Sequence, residues 1–117
     1  MKIKMLKEEL EDALRKLNLV KEEVEDTLQK LIVARSLIDT PEKWTSAGWG
    51  KLPRICLAHA LCIANEGKIF DVVDGGLPQK LLQNLIGGRY IGAFNDTHTH
   101  EEVLELVDRG IAVLRSI

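Results

Sequence analysis

Residues 54–65, RICLAHALCIAN, constrain this chain more than any other segment. Read as a helix, the segment is apolar almost all the way round, and such a helix is stable in water only when other elements enclose it. A chain of 117 residues has material for one such core and not for two. The flanking sequence must therefore wrap this helix. Its periodicity leads us to expect a mainly α domain (α+β being the alternative), a long N-terminal helix or helix pair packed with a small helical part, and at most two or three short strands. Pro53 suits the first turn of the enclosed helix, and Asn65-Glu66-Gly67 suits its end.

Residues 1–39 read as a helical arm. Leu10, Leu17, Val24, Leu31 and Ile38 recur every seven positions, with Leu14 and Leu28 as i+4 partners, and neither Gly nor Pro interrupts residues 2–40. The arm is one helix, or two broken near Asn18. Lys21 and Arg35 interrupt the seam, so a long regular coiled coil is not expected. The seam buries either against a second copy, making the arm an oligomerisation element, or against its own domain. Residues 40–117 form the globular remainder. Thr40-Pro41 ends the arm, because the residue before proline is pushed out of helical backbone. A turn-rich loop follows, with Trp44 and Trp49 among Lys43, Lys51 and Arg54 and no acid from Lys43 to Asn65. KIFDVV (68–73) leans towards strand, Pro78 opens a short helix closed by Gly87-Gly88, and RYIGAF (89–94) reads as strand or extended loop. Thr99-His100-Glu101-Glu102 is a capping box that opens a last helix with its stripe at Val103, Leu106, Val107, Ile111 and Leu114.

A net charge of −2 gives no electrostatic footprint for duplex nucleic acid. No apolar run approaches the roughly 18 residues of a membrane span, and the acid-rich start is not a secretory signal. Cys56 and Cys62 lie about 9 Å apart on a helix, too far for a disulfide. Free thiols suit a reducing cytoplasm.

Two polar clusters are candidates for ligand binding. The first is Arg89, Tyr90, Phe94, Asn95, Asp96, Thr97 and His98, running into His100. Free N–H groups at a helix start hold phosphate or carboxylate, Arg89 adds charge-assisted bonds, and Phe94 or Tyr90 stacks on a base. The plainer reading is that Asn95 and Asp96 only shape the turn. The second is Trp44, Trp49 and Arg54 with Lys43 and Lys51, a set suited to gripping a nucleotide by stacking and phosphate pairing. Its plainer reading is two tryptophans anchoring the core. Cys56, His59 and Cys62 have zinc-ligand chemistry, but their i, i+3, i+6 spacing turns them away from a common point and no CxxC knuckle accompanies them. We expect neither a metal site nor a cofactor. Apolar neighbours raise a thiol pKa, and no GxSxG, GxGxxG, P-loop or HExxH motif is present, so no catalytic residue is assigned.

Residues 33–117 resemble a domain-of-unknown-function family of bacteria and phages. The matching features are Ala34-Arg35-Ser36-Leu37-Ile38, the Trp44 to Trp49 loop, Cys56-Leu57-Ala58-His59-Ala60-Leu61, Phe94-Asn95-Asp96, Thr99-His100-Glu101-Glu102-Val103-Leu104 and Asp108-Arg109. A glycine is expected where His59 stands, which marks His59 as a departure in packing or as a ligand contact. The plan is also similar to phage sponges of the first Thoeris anti-defence type, small homo-oligomers that sequester cyclic ADP-ribose signals, some also holding cyclic oligonucleotides. That resemblance implies sequestration without catalysis, with Phe94, Asn95 and Arg109 as ligand contacts and Arg54, Arg89 and Arg115 as further matches. The alternatives are a helical interaction protein working through its arm, and a small enzyme.

Overall fold

The computed structural model describes residues 21–66 and 75–116. Its elements are α1 (Lys21–Leu37), a 3-10 turn (Pro41–Lys43), β1 (Gly50–Lys51), β2 (Arg54–Ile55), α2 (Leu57–Glu66), α3 (Gly76–Leu85), α4 (Ile91–Thr97) and α5 (His100–Arg115). The chain is mainly helical, with one two-stranded antiparallel sheet among the described residues.

The apolar segment takes its expected place. Ile55 to Cys62 are buried without interruption, and α2 is enclosed by α1, α3 and α4. Its start differs from the expectation. Pro53 lies in the turn between β1 and β2, after a cis bond from Leu52, and the helix begins at Leu57. The hairpin displaces it: Gly50 faces Ile55 and Lys51 faces Arg54, so residues 54–55 are held extended. Gly50 is left-handed (φ 77), and a Cβ there would lie 2.5 Å from the Arg54 carbonyl oxygen, so the pairing requires glycine.

Over the described part of the arm, the seam buries within its own domain. Thr27, Leu31, Ala34 and Ile38 form the covered face of α1 and its C-terminal extension, packed on α2 and α5. Arg35 interrupts the stripe because it serves another purpose: its guanidinium makes a two-point ion pair with Asp108 of α5. Leu10, Leu14, Leu17, the break at Asn18 and the strand-leaning 68–73 segment lie outside the described residues. Helix α3 ends before Gly87 and Gly88 as expected, and Thr99 caps α5 through the reciprocal bonds of a capping box: Glu102 N–H to Thr99 Oγ1 (3.1 Å) and Thr99 N–H to Glu102 Oε1 (2.9 Å).

The expected strand or loop at 89–94 is instead the entry to α4. Ile91 and Asn95, fully buried, are one helical turn apart on the face that meets the core. Phe94 N–H bonds Tyr90 O (3.2 Å), and Thr97 Oγ1 donates back to Ala93 O (2.8 Å). Six residues were too few to separate periods of 2 and 3.6. Among the described residues, no helix is long and apolar enough to cross a membrane.

Three helices, α1, α3 and α5, meet at Gly110 of α5. A Cβ there would lie 2.7 Å from Leu82 Cδ2 and 3.0 Å from Leu31 Cδ1, and both leucines are fully buried. Gly110→Val is expected to lower unfolding free energy by about 1–3 kcal/mol through overpacking. Chemical denaturation measures this, and an unchanged midpoint would show that α1, α3 and α5 do not converge there.

Candidate functional site

The tryptophan loop and the segment before α5 meet, and they meet at Asn95. Its side chain is fully buried. Oδ1 accepts from Trp44 Nε1 (2.6 Å) and from Leu57 N–H (3.0 Å), while Nδ2 donates to Thr45 O (2.9 Å) and Asp96 Oδ1 (3.3 Å). A primary amide has two acceptor lone pairs and two donor hydrogens, so this one is saturated. The Leu57 bond also satisfies one of the free N–H groups at the start of α2, a cap supplied from a distant element. Cys56 supplies another: its Sγ accepts from His59 N–H (3.3 Å), the position a Ser or Asp N-cap takes. Burial pushes the Cys56 thiol above its ordinary value, with a smaller push from the Asp96 carboxylate. A capping, protonated thiol is the opposite of an activated nucleophile.

Histidines brace this hub. Trp49 stacks on buried His59 (centroids 4.1 Å apart, 15° between planes), whose Nδ1 lies 3.1 Å from Trp49 O. His100, outside the ligand set drawn from the sequence, reaches back to Ile38 O through Nε2 (2.6 Å) and lies beside Trp44 (5.4 Å). A carbonyl can only accept, so Nε2 carries the proton there. The basic residues of the tryptophan loop do not gather round its rings. Lys43 pairs with Asp39 (3.1 Å), Arg54 donates from Nε to Trp44 O (2.9 Å), and Lys51 is exposed on β1.

The remaining candidates divide between two clefts, one on either side of α4. The first, about 250 Å³, is lined by Leu85, Ile86, Arg89, Phe94, His98, Glu102, Glu105, Leu106 and Arg109. Phe94 and His98, one turn apart, stack at 3.7 Å with 16° between planes. His98 Nδ1 lies 2.8 Å from Phe94 O, which fixes the proton on Nδ1 and leaves Nε2 as the second polar atom of the ring. Arg89 donates from Nε to Ile86 O (3.1 Å), and among the described residues no acid pairs with its terminal nitrogens. Hydrogen bonds to Thr99, backbone and side chain, hold the Glu102 carboxyl below its ordinary range. The second cleft, about 370 Å³, is lined by Gly48, Trp49, Cys56, Ala58, Tyr90, Gly92, Ala93 and Asp96.

Of the twelve candidates, Arg89, Phe94, His98 and Arg109 share the first cleft, and Trp49, Tyr90 and Asp96 share the second. Trp44, Asn95 and His59 are interior bracing. Arg54 and Thr97 bond to backbone at the surface, and Arg115 stands at the C-terminal end of α5. Asn95 and Asp96 do not shape a turn before α5; they lie inside α4, and Thr99 does the capping. Glu102 and Glu105 were not singled out as lining a cleft. Their i+3 spacing on one face of α5 was the available signal. Among the described residues, no three His, Cys, Asp or Glu side chains gather as a metal site would need. Comparison with protein-family models, with curated proteins and with solved structures returns no match for this chain.

Asn95→Ala leaves Trp44 Nε1, Leu57 N–H and Thr45 O without partners. At about 1–3 kcal/mol for each unsatisfied buried group, partly relieved by entering water, a loss of about 3–5 kcal/mol is expected. Equilibrium denaturation checks it together with Trp44 emission, which should shift to the red. A loss under about 1 kcal/mol would contradict the hub.

Proposed function

We propose that the protein binds a small phosphorylated, nucleotide-derived ligand in the Arg89–Arg109 cleft and sequesters it without chemical change. The observation that carries this reading is the pairing of two arginines with a stacked Phe94–His98 wall around one cleft. Arginine forks match phosphate oxygens two at a time, and an aromatic wall accepts a base by stacking. In this reading Arg89 and Arg109 hold phosphate, Phe94 and His98 border the base, and His98 Nε2 bonds a ribose or base edge. Asn95 touches no ligand; it fixes α4, and hence Phe94 and His98, against the tryptophan loop. The acids at the rim, Glu102 and Glu105, favour a ligand of low charge or one that offers hydroxyls to them.

Size narrows the class. Ligand pockets commonly run from roughly 300 to 1,000 Å³. A cleft of about 250 Å³ holds one nucleotide unit. A cyclic ADP-ribose isomer or a cyclic oligonucleotide, the class implied by the resemblance to Thoeris anti-defence sponges, extends past it. The reading therefore includes a homo-oligomer whose second copy covers the rest of the ligand. In this reading capture is non-catalytic: the lining offers no thiol, and Cys56, on the other side of α4, is buried with its thiol pushed above its ordinary value.

Calorimetry of the full chain against cyclic ADP-ribose isomers, cyclic di- and trinucleotides and simple nucleotides tests this. At least one member should bind with micromolar affinity or better. Arg89→Ala should weaken it about ten- to a hundredfold, as loss of a charge-assisted bond does, and the unfolding midpoint should hold because Arg89 is exposed. Arg115→Ala should leave affinity unchanged. No heat from any member at tens of micromolar protein, or equal binding by the Arg89 variant, would overturn the reading.

A further inference from the structure

The cleft on the other side of α4 has the opposite chemistry. Two aromatic side chains, Trp49 and Tyr90, border it, Ala58 and Ala93 help to line it, and among the described residues its one charged lining residue is Asp96. We propose that it is a separate binding site for a small organic cation, of the methylated-ammonium class, held between the faces of Trp49 and Tyr90 and neutralised by Asp96.

Four observations converge on this. Tyr90 is 56% exposed, yet its ring lies over Gly92: a Cβ at that glycine would come within 2.5 Å of Tyr90 Cε2. The missing side chain is what lets the ring settle beside the cleft. The other ring of the lining is fixed as well: Trp49 stacks on buried His59. An immobile ring loses little entropy when a ligand lands on it.

The third observation is Asp96 itself. It sits in the last turn of α4, where a carboxylate meets the negative end of the helix dipole. It neither caps α5 nor forms a salt bridge among the described residues. Its Oδ1 takes a bond from Asn95 Nδ2, and Oδ2 takes none from those residues. An acid placed against the helix dipole, bordering a ring-lined cleft, lacks the positive partner that its surroundings favour. Finally, two basic side chains of the tryptophan loop are turned to other bonds, Lys43 to Asp39 and Arg54 to the Trp44 carbonyl, and the third, Lys51, is exposed on β1 and does not line the cleft. Among the described residues no cation lines the cleft, and the Asp96 carboxylate there repels a phosphate. A cation gains from both the ring faces and the carboxylate.

This site does not depend on the nucleotide reading, since the two clefts share no lining residue. The test is an NMR titration of the full chain with choline chloride and tetramethylammonium chloride, and with 3,3-dimethyl-1-butanol, the uncharged isostere of choline. Sodium chloride at equal ionic strength serves as the blank. The two ammonium ions should saturate at millimolar concentrations, moving the Trp49 indole and the Gly92 and Ala93 amides. The alcohol should bind at least about fivefold more weakly, the difference that about 1 kcal/mol of cation–π and charge attraction makes. Asp96→Asn should weaken choline about fivefold and leave the alcohol unchanged, while Tyr90→Ala should weaken both. Both side chains are exposed, and the amide spectrum of each variant verifies that it folds. Equal binding of choline and the alcohol, shifts centred away from Trp49 and Gly92, or no saturation by about 100 mM would each overturn the proposal.

Discussion

One buried amide ties the tryptophan loop, α2 and α4 to one another. Asn95 joins Trp44 of the loop, Leu57 at the start of α2 and the backbone of Thr45 to α4 through three hydrogen bonds, and a fourth, to neighbouring Asp96, completes its amide. Each bond alone has a net worth of about 1 kcal/mol, but leaving the partners unpaired in the interior costs more than the bonds contribute. That asymmetry makes the arrangement specific. The loop has one seat for its first tryptophan, and the first turn of α2 takes one of its two caps from α4, the other coming from Cys56. The apolar helix at the centre of the core supplies the burial. Asn95 determines how the polar surface is laid over it.

The consequence is a division of labour about α4. With Ile91 and Asn95 facing inward, Phe94 and His98 must face one side, and Gly92, Ala93 and Asp96 the other. The two sides acquire different chemistry. One gathers Arg89 and Arg109 beside stacked rings; the other gathers Trp49 and Tyr90 beside an acid. A single anionic ligand spread across every aromatic and basic residue near the tryptophan loop does not fit this geometry. Lys43 and Arg54 are committed elsewhere, Lys51 lines neither cleft, and the cleft that Trp49 borders carries Asp96.

Most of the architecture was legible in the sequence, for identifiable reasons. The enclosure of α2 followed from an apolar surface on all sides, the α5 start from a capping box, and the end of α3 from paired glycines. Each is a local signal that tertiary structure had no cause to override. The start of α2 misled because Pro53 fits a helix N-terminus and a hairpin turn equally well, and only the pairing of Gly50 with Ile55 decides between them. Helix α4 was missed because it is short and polar at its end, and its buried pair is an isoleucine and an asparagine. Periodicity reads apolar residues, so a buried Asn is invisible to it. The same blindness explains Asn95 as a ligand candidate. Its chemistry suits a ribose, but its burial and saturated bonds appear only when the loop and α2 arrive in three dimensions. Arg35 shows the converse: as a flaw in a helical seam it argued against a coiled coil, and its pairing with Asp108 supplies the reason it is there.

Amide and indole hydrogen exchange at Trp44 Nε1 and Leu57 N tests the hub most directly. If Asn95 holds both, these two protons exchange together and as slowly as the core amides of α2, while the Leu52 amide at the exposed hairpin tip exchanges fast. An indole proton on Trp44 that exchanges at the rate of a solvent-exposed tryptophan would mean that the loop is not seated on Asn95, and the separation of the two clefts would lose its physical basis.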